Sequence, residues 1–210
     1  MTTIVVATGN HHKYREYSTL LAPMSLSSLA DYPAMEDVEE SYDDFAHNAA
    51  QKANAAHRHT GVISLADDSG LEVQALGGRP GVRSKRYFPG TDQDRYEHLL
   101  TEMADIHHRE ARFVCAIAIA GIPRNTDIGA ELLWCLDCVV SVGYVYGRIS
   151  RSARGNNGFG YDPVFELPDG RTIGELPSGE KESLSHRFDA VKKIKPWIQT
   201  FFIDGLPSRD

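Results

Sequence analysis

The spacing of apolar positions changes repeatedly along the chain, and each change marks an element. "TIVVAT" (Thr3 to Thr8) has the β-branched, apolar character of a buried strand, and a helix follows from about His11 to Leu21, stopping before Pro23. A second helix is expected from Tyr42 to His59, because Phe45, Ala49, Ala53 and Ala56 recur at three- and four-residue spacing and Gly61 closes the run. "VISLA" and "LEVQAL" read as two strands flanking "DDSG", and Thr91 reads as the N-cap of a helix from Asp92 to Met103. Two longer strands, Arg112 to Ala120 and Leu132 to Val145, suggest a hairpin about "GIPRNTDIG". The last helix is placed from about Ser183 to Lys195, and Trp197, Ile198, Phe201 and Phe202 extend its apolar pattern past Pro196. Strands and helices alternate without repeat, low-complexity tract or linker, which is the pattern of one α/β unit with a mixed sheet.

Composition narrows the picture. The chain has 210 residues, 41% apolar and 24% charged, as an ordinary globular protein does. No segment approaches the roughly 18 apolar residues of a membrane span, and "MTTIVVATGN" lacks the regions of a secretion signal. Three cysteines are too few for a disulfide framework, so a cytoplasmic setting is expected. Cys135 and Cys138 form a lone CxxC inside "ELLWCLDCVVSV"; in a strand such residues face opposite sides, which argues for a structural role. The net charge of −7 argues against nucleic acid as a partner. An anionic small molecule would need a local cluster of Lys and Arg, or a cation.

Four stretches could carry chemistry. "ATGNHHK" (Ala7 to Lys13) lies where the first strand meets the first helix; its glycine and free helix N–H groups suit a phosphate, though Thr-Gly-Asn is also common turn chemistry. It is not a Walker A loop. Glu39 and Glu40 end a loop, while Asp67 and Asp68 end a strand. A hard cation such as Mg²⁺ takes one or two such carboxylates together with substrate phosphates, and the bland alternative for "DDSG" is a turn. Adjacent residues of an extended segment face opposite sides, so Asp67 and Asp68 should have different tasks. In "GNNGFGYDPVF" (Gly155 to Phe165) glycines flank Phe159, leaving a ring on which a nucleobase could stack. "GEKESLSHRFDA" (Gly179 to Ala190) offers Lys181, His186 and Arg187 within two turns, or simply a solvated basic face. The other histidines show no metal-binding spacing.

Taken in order, these stretches resemble the inosine triphosphate pyrophosphatase family, the non-canonical purine nucleoside triphosphate hydrolases. The matching pieces are "ATGNxxKxxE" (Ala7 to Glu16), "NAxxKA" (Asn48 to Ala53), "ADDSGLEVxALGGxPGVxSxRY" (Ala66 to Tyr87), "GFGYDPxF" (Gly158 to Phe165) and "ELxxxEKxxxSHR" (Glu175 to Arg187). The resemblance implies an elongated α/β fold with a long, twisted mixed sheet flanked by helices, two lobes of a single domain, a cleft between them, and a homodimer. It implies Mg²⁺-dependent cleavage of ITP, dITP and XTP between the α- and β-phosphates, giving the monophosphate and pyrophosphate.

Carried over by position, the resemblance gives the triphosphate to Thr8, Gly9, Asn10, His11, His12 and Lys13, with Lys52 assisting. Asp68 would activate water and bind Mg²⁺ with Glu40, Ser69 would touch substrate, and Asp67 would shape the turn. Phe159, Gly160, Tyr161 and Asp162, with Lys181, His186 and Arg187, would hold the base end. Donors there would pair with the C6 oxygen of hypoxanthine or xanthine and be left unpaired against adenine. A regulator that binds nucleotide without turnover is the other reading, and Asp68 with Lys13 and Lys52 argues against it. Neither a P-loop nor a D-x-D nucleophile is present, which removes a phosphotransferase or haloacid-type phosphatase. The chain departs from the family pattern at Tyr42 (glycine there), Asp44 (threonine), His47 (glutamate) and Phe188 (glycine).

Overall fold

A computed structural model describes residues 3–203. Its strands and helices run β1 (Thr3–Val6), α1 (His11–Leu20), β2 (Ser25–Ser28), α2 (Phe45–Thr60), β3 (Ser64–Val73), α3 (Asp92–Glu102), β4 (Glu110–Ala120), β5 (Leu133–Cys135), β6 (Cys138–Ile149), β7 (Phe165–Glu166), α4 (Ser178–Ser183) and α5 (His186–Ile203). The strands form one mixed sheet in the order β2-β1-β3-β4-β6-β5, with β7 added to β6. β1 is parallel to β2 and β3, whereas β6 is antiparallel to β5 and β7. The mixed α/β sheet flanked by helices is the architecture expected from the sequence.

The chain divides into two compact units. The first takes residues up to 68, 115–143 and those from 187 on. Its core packs Ile63, Leu65 of β3 and Cys115, Ile117 and Ile119 of β4 against Tyr17 of α1 and Val191, Ile194 and Ile198 of α5. Residues of alternate parity on β3 face the other way, and there Ser64 meets Thr60 of α2 while Asp68 meets Lys52. Buried alanines 49, 53 and 56 let α2 lie close to the sheet. The second unit takes residues 69–114 and 144–186, with Leu71, Val73, Leu99, Phe113, Ile149 and Phe165 in its core. Within it the buried Arg109 guanidinium donates to the carbonyls of Met103, Ile149 and Ser150, tying the end of α3 to the end of β6.

The sequence reading did not place β2, β7 or α4 and started α2 three residues early, and three elements that it did place differ in kind or extent. β3 does not stop at the carboxylates but runs unbroken through "DDSG" to Val73, past its short pairing with β1 at Ser64 and Leu65. The expected strand from Leu132 to Val145 is instead a tight hairpin. Leu136 and Asp137 turn at positive φ, and Cys135 and Cys138 become direct cross-strand partners rather than residues on opposite faces. Both thiols are buried and free. The last helix continues through Pro196 to Ile203, since Ile198 and Phe201 bury against the first core and outweigh the missing N–H.

Left-handed backbone matters most in the loop before β7. Gly155 and Gly160 both have positive φ, but a Cβ on Gly155 would overlap the carbonyl of Gly174, while one on Gly160 would meet open space. Gly160→Ala should therefore cost about 1 kcal/mol for its backbone conformation alone, and Gly155→Ala ~3 kcal/mol or more. Urea unfolding of both variants checks this, and equal losses would contradict the packing argument.

Candidate active site

Two consecutive residues of β3 organise the first unit's polar centre. Asp67 and Asp68 are both buried, and the pleat sends them to opposite faces of the sheet. Each meets a lysine from a different helix: Lys13 Nζ of α1 lies 2.7 Å from Asp67 Oδ2, and Lys52 Nζ of α2 lies 3.0 Å from Asp68 Oδ1. Asp67 thus anchors an ion pair inside a strand and does not shape a turn.

The two carboxyls have opposite electrostatics. Burial pushes Asp67 up, but Lys13, Arg187 and Lys52 outweigh it and hold the group below its ordinary value. Burial also pushes Asp68 up; Lys52 offsets this only in part while Glu40 and Asp67 add to it, and the carboxyl rises to about 6. Glu40 Oε1 lies 3.1 Å from the same Lys52 ammonium, so Glu40 and Asp68 converge on a single positive charge. Lys52 is half-buried, and these carboxylates keep its pKa raised against the effect of burial.

The start of α1 is built by its own side chains. Asn10 Oδ1 accepts from the N–H groups of His12 (2.9 Å) and Lys13 (3.4 Å), and Thr8 Oγ1 accepts from the N–H of Asn10. His11 and His12 are exposed, and a Cβ on Gly9 would find open space, so a ligand can come close to this backbone. Beneath it lies a buried network that the sequence reading did not assemble. Arg187, only 2% exposed, is ion-paired with Glu16; Tyr17 Oη and Cys115 Sγ are 3.7 Å apart, and Cys115 Sγ reaches Asp67 at 4.0 Å. Glu16 stands one helical turn after Lys13, a spacing that marked it as a neighbour.

The divergent loop before α2 is tied to the start of that helix by its own side chains. Asp44 caps the helix by accepting the N–H of His47 at 2.9 Å, and the His47 ring returns to the Asp44 carboxylate while Tyr42 packs on that ring at 5.0 Å. Glu40 remains beside Lys52 in spite of the three changed residues.

Most of the expected base-end residues belong to the second unit. Buried Asp162 accepts from the N–H of Phe159 and from Lys181 Nζ, both at 2.8 Å, and Lys181 Nζ lies 4.6 Å above the half-buried Phe159 ring. Gly158 makes room for Asp162, which is the physical reason for a glycine there, beyond leaving the ring open. Gly160 donates to Asp92 of α3 at 2.8 Å, and buried Tyr161 donates its hydroxyl to the carbonyl of Ser84. His186 is buried and stacks on Phe113 at 5.0 Å. Ser69 follows Asp68 on β3, half-buried. Arg187, grouped with these residues from sequence, sits instead with Glu16 in the first unit.

The profile of the Ham1 family matches residues 4–197. The chain belongs to the Ham1 family. It is 42% identical to the dITP/XTP pyrophosphatase of Symbiobacterium thermophilum over 96% of this chain and 98% of that protein. It is 39% identical to the dITP/XTP pyrophosphatase of Bacillus anthracis over 97% of this chain and 99% of that one. Among solved structures, a HAM1 protein from Coxiella burnetii superposes with a TM-score of 0.84 at 35% identity, covering 96% of this chain and all of that one. A nucleoside-triphosphatase (dITP/XTP pyrophosphatase) from Mycobacterium abscessus gives 0.72 at 39% identity, over 93% of this chain and 100% of that one.

In EDTA, the raised Asp68 carboxyl lets the folded protein bind more protons than the unfolded chain between about pH 4 and its value of about 6. Stability from this group is therefore present below that window and lost as pH rises through it. The difference from the ordinary value of 3.8 is worth up to about 3 kcal/mol. Urea unfolding of Asp68→Asn and wild type at pH 4 and pH 7 should show the variant gaining by that order at the higher pH. A stability gap that does not change with pH would contradict the burial argument.

Proposed function

We propose that this chain hydrolyses non-canonical purine nucleoside triphosphates, namely ITP, dITP and XTP, to the nucleoside monophosphate and pyrophosphate, clearing them from the nucleotide pool. The observation that carries this reading is the buried Asp68, held by Lys52 with Glu40 on the same ammonium, in a chain related over nearly its whole length to dITP/XTP pyrophosphatases.

Hydrolysis of a phosphoanhydride requires neutralised phosphate charge and a positioned water, and little covalent chemistry from the protein. Lys13, Lys52 and the N-terminal backbone of α1 (Thr8 to His12) receive the triphosphate in this reading. Asp68 holds the water and takes its proton as the water oxygen bonds to the α-phosphorus and the bond to the pyrophosphate oxygen breaks. Asp67 keeps Lys13 in place. Asp68 and Glu40 are hard oxygen donors that already face a shared cation, which fits Mg²⁺ completed by substrate phosphates and water. Among the described residues no group of three or more His, Cys, Asp or Glu could hold a metal, and a site completed by substrate does not need one. When bound, Mg²⁺ supplies neutralising charge to the phosphates.

For the base we assign Phe159 as the stacking face and Lys181, Asp162 and His186 as its polar surroundings, with Ser69 completing the set. A homodimer in the cytoplasm is the form we expect to act. Three free cysteines support the setting, and the exposed Tyr146 stacked beside Tyr144 offers an apolar surface for association. No described helix is long and apolar enough to cross a membrane.

Pyrophosphate release should be Mg²⁺-dependent and faster for dITP and XTP than for dATP and dGTP by about a hundredfold or more. Asp68→Asn should lower kcat by about a thousandfold, a loss in the range of general-base catalysis, and Asp67→Asn by less. Tight dITP binding without release would identify a sensor instead. If Asp67→Asn abolished turnover and Asp68→Asn did not, the two roles would be reversed.

A further inference from the structure

Asn48 lies fully buried in the first turns of α2, one turn before Lys52 on the same helix face. A side-chain amide has one acceptor oxygen and two N–H donors, and here each has a partner. The oxygen accepts the backbone N–H of Tyr42 at 3.0 Å, while the nitrogen donates to the Tyr42 carbonyl at 2.9 Å and to Asp68 Oδ2 at 3.4 Å. The reversed amide would put donor against donor at the Tyr42 N–H and oxygen against both acceptors, so the orientation is fixed by the contacts. A second strut, Gln51 Nε2 to Ser41 Oγ at 3.3 Å, holds the residue between Glu40 and Tyr42.

These contacts close a ring. Asn48 grips the backbone two residues beyond Glu40; Glu40 reaches Lys52; Lys52 reaches Asp68; and Asp68 returns to Asn48. We infer that Asn48 is a positioning residue that fixes the separation of Glu40 and Asp68, so that the two carboxylates meet one cation; this rests on the proposed hydrolase reading. The grip uses only the backbone of Tyr42. That is why a tyrosine can stand where relatives of the inosine triphosphate pyrophosphatase pattern have glycine without displacing Glu40.

The test uses the full-length protein and Asn48→Ala, with Asn48→Ser as the second variant should the first fail to fold. In metal-free wild-type protein, hydrogen exchange read by NMR should find the Tyr42 N–H protected. In the variants it should exchange about tenfold faster or more while the amides of Ala50 to Ala56 stay protected. The Mg²⁺ concentration for half-maximal release of pyrophosphate from dITP should rise about tenfold or more. The KM for dITP at saturating Mg²⁺ should stay within about twofold, because the nucleotide's own contacts are untouched. A purely structural Asn48 would lower the folded fraction and leave the Mg²⁺ midpoint where it was, and that result overturns the inference. So does an unprotected Tyr42 N–H in the wild type. Wild-type protein that releases no pyrophosphate from dITP defeats the functional reading itself, an outcome distinct from a normal wild type with an unshifted variant.

Discussion

Two adjacent carboxylates inside an inner strand are the constraint on which the first unit is arranged. An unpaired carboxylate in a protein interior costs several kcal/mol. Because the strand is pleated, Asp67 and Asp68 need partners from opposite directions. α1 supplies Lys13 on one face and α2 supplies Lys52 on the other. Both helices are then held close to the sheet for electrostatic as well as hydrophobic reasons. The Asn10 cap that starts α1 and the Asp44 cap that starts α2 aim those lysines inward.

The same residue type acquires two characters from its surroundings. Asp67 lies among Lys13, Arg187 and the end of the Glu16 ion pair, and stays ionised as a fixed counter-charge. Asp68 shares Lys52 with Glu40 and is raised towards neutrality, the condition under which a carboxylate gains most by receiving a cation or a proton. In the second unit Asp162 acts as a framing residue, fixing both the backbone of Phe159 and the ammonium above its ring. Carboxylates therefore organise both units: Asp67 and Asp68 draw helices to the two faces of β3, and Asp162 fixes a loop.

The three residues near Glu40 that depart from the family pattern hold the start of α2 among themselves. Asp44 replaces one N-capping side chain by another, His47 answers it from the third helical position, and Tyr42 covers the pair. What the loop must preserve, the approach of its backbone to Asn48, involves none of the changed side chains.

Local chemistry determined much of this protein by itself. Alanine spacing and Gly61 were enough to locate α2, Thr91 to start α3, and the β-branched run to place β1, because these signals act within a few residues. Ordered motifs likewise pointed to the family. Tertiary packing decided the rest. "DDSG" reads as a turn until the sheet carries β3 straight through it, and no turn signal in Leu136-Asp137 announces the hairpin that sets Cys135 opposite Cys138. Pro196 reads as a stop until burial of Ile198 and Phe201 carries the helix past it. The partners of Asp67, the burial of Arg187 and the grip of Asn48 on Tyr42 join residues whose spacing along the chain shows nothing of their contact. Only the fold brings them into the dry interior, where charge must be answered by charge.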